Sequence, residues 1–108
     1  MARVSLPSPP GTIVLYSKPD CHLCDETRLL LGAIIAERIA AGRPAPAIEE
    51  RNILDNERWH GENAFEVPVL ALGSRRLPLA TSASRIRAFL ASEFDGAFQA
   101  DTRSQGVR

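Results

Sequence analysis

The chain has 108 residues, long enough for one domain that buries a core of its own without staples. Lys and Arg number 13 and Asp and Glu also 13, so net charge gives no reason to expect nucleic acid or anionic lipid as a partner. At 44% hydrophobic and 24% charged residues the composition is that of an ordinary globular protein. The most apolar stretch, Leu29 to Ala41, is broken by Glu37 and Arg38 and is too short to span a bilayer.

The first stretch, "MARVSLPSPPG", has one arginine followed by prolines and lacks the apolar centre of a signal peptide. Residues 1–11 therefore read as a flexible lead. With no export signal, the two cysteines are expected in a reducing cytoplasm, where a lasting structural disulfide is not. "TIVLY", Thr12 to Tyr16, is a β-branched and aromatic run between Gly11 and the Pro19 turn, the pattern of a buried strand. From Cys21 the period changes: Leu23, Leu30, Leu31, Ile34 and Ala41 share one helical face, and Asp25, Glu26, Arg28 and Glu37 the other. That helix is expected to stop at "AGRPAP", where Gly42 can cap it and Pro44 bars continuation.

"AIEERNI", Ala47 to Ile53, reads as a strand whose polar middle makes it less buried than the first. Asp55 can cap a short helix after it, around which Trp59 and Phe65 are expected to pack. "VPVLAL", Val67 to Leu72, is a strand beginning at a proline. Gly73 and Ser74 then turn the chain into "RRLPLA", an edge strand in which Arg75 and Arg76 protect the edge. In "TSASRIRAFLASEF" Ser82 caps a last helix, with Ile86, Phe89, Leu90 and Phe94 as its buried stripe. Residues 12–95 thus form one α/β domain in the order β-α-β-α-β-β-α, and residues 96–108 read as a flexible tail. A helix between two strands implies parallel pairing, and the later hairpin antiparallel pairing.

Both cysteines fall in "KPDCHLCDE". Cys21 stands where the first strand ends and the first helix begins. Free backbone N–H groups and the positive end of the helix dipole favour a thiolate there. Cys24 follows one turn later and can resolve a mixed disulfide formed on Cys21. Lys18 supports an anion at this place, whereas Asp20, Asp25 and Glu26 oppose one. A closed zinc site needs four ligands, and the chain offers this pair with His22 and His60 only, so no metal is expected. Two cysteines that merely pack are the remaining alternative. "EVPVL" adds a proline that, if its peptide bond is cis, leaves the backbone of Val67 open to an extended peptide.

Strand, "SKPDCHLC", long helix, strand, short helix, "VPVL", hairpin and final helix together resemble the thioredoxin superfamily, and within it a small glutaredoxin-like protein. The resemblance runs from about Gly11 to Phe94. It implies a thioredoxin-like fold with a four-stranded mixed sheet flanked by helices. It also implies Cys21 as nucleophile, Cys24 as resolving thiol, Pro68 as a cis proline, Val67 as a backbone contact, and Lys18 as the cation on a glutathione carboxylate. Ser82 and the N–H groups near it can receive a second carboxylate. The chain departs from glutaredoxins in having His22-Leu23 between the cysteines, Glu66 before the Val-Pro, and "LATSAS" in place of Gly-Gly and an acid.

The activity implied is thiol-disulfide exchange on protein or glutathione mixed disulfides. It needs glutathione as co-substrate, no bound cofactor and no membrane or nucleic-acid partner, and a monomer suffices. Two other functions are open: an iron–sulfur cluster carrier using Cys21 of two chains with two glutathiones, and a non-enzymatic adaptor that binds peptides at Val67–Pro68.

Overall fold

The computed structural model describes residues 11–95. Residues 1–10 of the expected lead and the expected tail 96–108 lie outside the described residues. Strand β1, Thr12–Ser17, is central and pairs in parallel with β2, Ala47–Asn52, and antiparallel with β3, Val69–Leu72. Strand β4, Arg75–Leu77, extends the sheet antiparallel to β3, giving the order β2-β1-β3-β4. Helices α1 (His22–Ala40), α2 (Glu57–Asn63) and α3 (Ala83–Leu90) flank this sheet. This is the thioredoxin-like order and mixed sheet that the resemblance implied.

Alternation along β1 assigns the faces. Ile13 and Leu15 point to one side and meet Leu31, Ile34 and Ile35 of α1, Leu70 and Leu72 of β3, and Ile86, Phe89 and Leu90 of α3 in the main core. Tyr16 points to the other side, where its ring meets the edge of Trp59 from α2 at 6.1 Å between centroids. Because Ile13, Val14 and Leu15 are all buried, β1 needs apolar residues on both faces, and its unbroken run supplies them. Strand β2 is at the sheet edge and is exposed or half-buried along its length, as its polar middle predicts.

Helix α1 ends as expected. Gly42 takes φ +71, its N–H donates to the Ile39 carbonyl, and the Arg43 N–H donates to the Arg38 carbonyl. Those two bonds form a Schellman cap, which favours a residue without a Cβ at Gly42. The buried stripe of α1, however, is Cys24, Thr27, Leu31, Ile34, Ile35 and Arg38. Leu23 and Ala41 are exposed, contrary to the periodicity reading. One residue of shift turns a helical position by about 100°, and the packing is centred on Cys24, not Leu23.

Other boundaries differ for local reasons. Strand β2 stops at Asn52, whose side chain accepts from the Leu54 N–H and caps a 3₁₀ turn, Ile53–Asp55. The cap of α2 is Asn56, accepting from the Arg58 and Trp59 N–H groups, in place of Asp55. Strand β3 begins at Val69, two residues later than expected; Pro68, joined to Val67 by a cis peptide bond, has no N–H to give a ladder. Strand β4 ends before Pro78, which has no N–H to give a ladder.

Candidate redox site

Cys21 is the N-cap of α1. It keeps extended backbone angles (φ −119, ψ 101), and its sulfur accepts from the Cys24 N–H at 3.1 Å. A sulfur thus takes the acceptor role that serine or aspartate fills at most helix starts, where backbone donors and the helix dipole stabilise negative charge. The turn before it, Pro19-Asp20, places Asp20 at φ +57, a left-handed angle that aspartate tolerates better than most residues. The Cys21 and Cys24 sulfurs are paired as a disulfide, with 5.2 Å between their Cα atoms. Cys21 is half-exposed and Cys24 is 0% exposed, so only the first sulfur faces an incoming molecule.

Cys24 packs with Ile53 and Val67 in a small second cluster, and Tyr16, Cys21, Trp59 and Ala64 pack against it. Of the residues expected at the site, Cys21, Cys24 and Val67 are therefore brought together, with buried Pro68 next in the chain. Glu66 and Pro68 on either side of Val67 are paired, their carbonyls accepting from the Leu79 and Ala80 N–H groups at 2.9 and 2.8 Å. Among the described residues, the backbone of Val67 takes part in no such bond.

Lys18 and Ser82 are polar and have other neighbours. Lys18 lines a polar cleft of about 330 Å³ with Ser17, Pro19, Arg28, Glu50, Asn52 and Asp55. Ser82 is the N-cap of α3, its Oγ accepting from the Arg85 N–H at 3.3 Å and lying 3.1 Å from Ser84 Oγ. Two of the three acids expected to oppose a thiolate, Asp25 and Glu26, have partners. Asp25 accepts from Arg28 at 2.8 Å, and Glu26 lies 2.9 Å from His22 Nε2. Arg28 also forks onto Glu50, to which Ser17 Oγ donates at 2.7 Å. The Arg28 guanidinium, against partial burial and with help from Ser17, holds the Glu50 carboxyl below its ordinary value. No group of three or more His, Cys, Asp or Glu side chains converges among the described residues.

Several residues at the site escaped the sequence reading. Thr27, fully buried, donates from Oγ1 to the Ala80 carbonyl at 2.6 Å. Since the Ala80 N–H donates to the Pro68 carbonyl, two hydrogen bonds tie the helix of the cysteines to Pro68. The one signal available was a hydroxyl on an apolar stripe, which must find an acceptor when buried. Arg51 joins the ring cluster: its guanidinium lies 4.9 Å from the Trp59 ring centre and 5.7 Å from that of Tyr16, and it donates to Tyr16 Oη at 3.1 Å. Trp59 packs as expected. Phe65 does not: it lies past the end of α2, in the turn before Glu66, and is 97% exposed. Arg76, read as edge protection, donates to Asn63 at 2.7 Å and to Glu66 at 3.0 Å.

Comparisons with known proteins agree with this geometry. A family model described as a glutaredoxin-like domain (DUF836) matches residues 12–95. Among solved structures, the chain is similar to the X-ray structure of the Northeast Structural Genomics target protein XcR50 from X. campestris. Identity is 31% and TM-score 0.59, over 74% of this chain and 96% of that one. Comparison with curated proteins gives no match. A C-x-x-C pair at a helix start in such a domain is a thiol oxidoreductase-like centre.

Proposed function

The chain belongs to the glutaredoxin-like domain family (DUF836), and from that premise we propose that it is a thiol-disulfide oxidoreductase of the cytoplasm that reduces protein or glutathione mixed disulfides. The observation that carries this reading is the sulfur pair itself. A half-exposed Cys21 caps α1, and a fully buried Cys24 lies within bonding reach of it.

The chemistry follows from those positions. In the reduced protein the Cys21 thiolate attacks one sulfur of the substrate disulfide. A new S–S bond forms to Cys21, the substrate S–S bond breaks, and the other sulfur leaves as a thiolate that takes a proton from water. Cys24, shielded from every external disulfide, attacks Cys21 Sγ after losing its own proton. The Cys21–Cys24 disulfide returns, and the second substrate sulfur leaves and is protonated. Two electrons have passed from the protein to the substrate. Two glutathione molecules give them back, becoming glutathione disulfide. Val67 lends its open backbone to the substrate in the exchange, with Pro68 holding that segment beside the sulfurs, and Lys18 and Ser82 are the candidate partners for glutathione carboxylates. A monomer contains every group named, and no bound cofactor enters the cycle.

The test is turnover of a glutathione mixed disulfide by the purified protein with glutathione and its reductase. Cys21→Ser is expected to lose all activity. Cys24→Ser is expected to keep part of it, because glutathione can resolve the mixed disulfide in place of Cys24, and to accumulate a mixed disulfide visible as added mass. Full activity in Cys21→Ser would remove the proposal.

A further inference from the structure

Two apolar side chains on the segments that adjoin Val67 are open to solvent. Phe65 is 97% exposed, and Leu79 is 48% exposed while held at φ +49. A bulky residue enters the left-handed region seldom, and only where its surroundings over-determine it. Here they do. Arg85 donates from Nη1 to the Leu79 carbonyl at 2.9 Å and from Nη2 to the Pro78 carbonyl at 3.0 Å. The Leu79 N–H donates to the Glu66 carbonyl, and the Thr81 N–H to the Leu79 carbonyl at 2.8 Å. Ala80 is fixed between Pro68 and Thr27.

This strap runs along the Glu66–Pro68 segment, on which Val67 is open. Leu79 is joined to Glu66 across a hydrogen bond, and Phe65 precedes Glu66 in the chain. The two exposed apolar groups therefore flank the residue before Val67. Leu23, 45% exposed, stands between the two cysteines. Glu66 is paired with Arg76, which also bonds Asn63, and Arg85 is occupied by the two strap carbonyls. Glutathione has no apolar side chain to lay on Phe65 and Leu79, whereas an extended peptide can pair with the open Val67 backbone and place one there.

We propose that Phe65 and Leu79 form an apolar rim selecting, as substrate, an extended protein segment with an apolar residue beside its disulfide-bonded cysteine, and that Arg85 is the positioning residue that presents Leu79. The inference rests on the exchange activity proposed above and names its substrate class. Exchange with such a segment needs no further reductant in a single turnover: the protein dithiol gives two electrons and two protons, and the peptide disulfide becomes two thiols.

Pre-reduced protein is mixed with three disulfides: two disulfide-bonded peptides identical except for Leu or Ser beside the cysteine, and bis(2-hydroxyethyl) disulfide. The second-order rate of dithiol oxidation is measured for each. Wild type is expected to favour the Leu peptide over the Ser peptide by about fivefold, the scale of one half-buried leucine contact. In Leu79→Gly and in Phe65→Ser the preference is expected to fall below about twofold. Glycine suits φ +49, so Leu79→Gly relieves backbone strain and keeps the fold. Arg85→Met is expected to lower the preference too, Arg85→Lys less so, and Leu79→Gly with Arg85→Met to lose no more than Leu79→Gly alone. A wild type that oxidises with all three disulfides but shows no preference overturns the rim. So does a preference that survives both Leu79→Gly and Phe65→Ser. A wild type inert toward all three removes the exchange reading, and the rim with it.

Discussion

Thr27 shows how one hydroxyl can join two halves of a site. It sits three residues after Cys24 on the buried face of α1, and its partner, the Ala80 carbonyl, belongs to the strap that also holds Pro68. Thr27→Val keeps the shape and removes the donor, leaving a buried carbonyl one bond short. That change is expected to destabilise the protein by about 1–3 kcal/mol in urea unfolding, with Thr27→Ser recovering most of the loss. A cost near zero for valine would mean that Ala80 is held well enough by its N–H bond to Pro68. Arg51 makes a different point at the same scale. Its guanidinium lies near the Tyr16 and Trp59 rings, donates to the Tyr16 hydroxyl and pairs with Glu49, so replacing it by lysine loses the planar contact with the rings.

At the scale of elements, α1 is fastened to β2 through Arg28 and Glu50 and to α3 through Glu37 and Arg87. Because Glu50 is depressed in the folded protein, the unfolded chain takes up its proton first as the solution is acidified. The ion pair's contribution is whole above the ordinary Glu value of 4.5 and is lost as pH falls further. Both side chains are partly exposed, so solvent screening holds the effect to within about 1 kcal/mol. The expected result is a thermal midpoint that falls more steeply with acid in wild type than in Glu50→Gln, between about pH 5 and pH 3. Parallel curves would show that the pair contributes nothing. Elements were largely legible in the sequence where a residue type forces the backbone. Gly42 and Pro44 stop α1, and the "TIVLY" run makes a central strand. What escaped depended on contacts between elements. Nothing local in "LPLA" announces a left-handed Leu79, because Arg85 and Glu66 hold it there. Nor does local sequence tell which side of α1 meets the sheet: periodicity alone puts Leu23 inside and leaves Thr27 unmarked, whereas Thr27 is buried and Leu23 exposed.

Among the described residues, the apolar side chains of the whole molecule gather in two clusters of unequal size. The larger joins α1 and α3 to Ile13 and Leu15, and the smaller gathers Cys24, Ile53 and Val67 with Tyr16 and Trp59 packed against them. Each is short of what a domain needs, yet neither can open alone, since β1 is a wall of both and α1 carries Leu31 into one and Cys24 into the other. Cooperative unfolding of the described domain follows from that sharing. Leu31→Ala empties space in the larger cluster and is expected to destabilise the protein by about 2–5 kcal/mol. Trp59, the single tryptophan, reports from the smaller cluster. Its fluorescence midpoint in urea is expected to fall together with that of the far-ultraviolet circular dichroism signal, although the substitution lies in the other cluster. If the tryptophan transition stayed in place while the helical signal moved, the two clusters would be separate folding units, and the redox site would owe its stability to the smaller one alone.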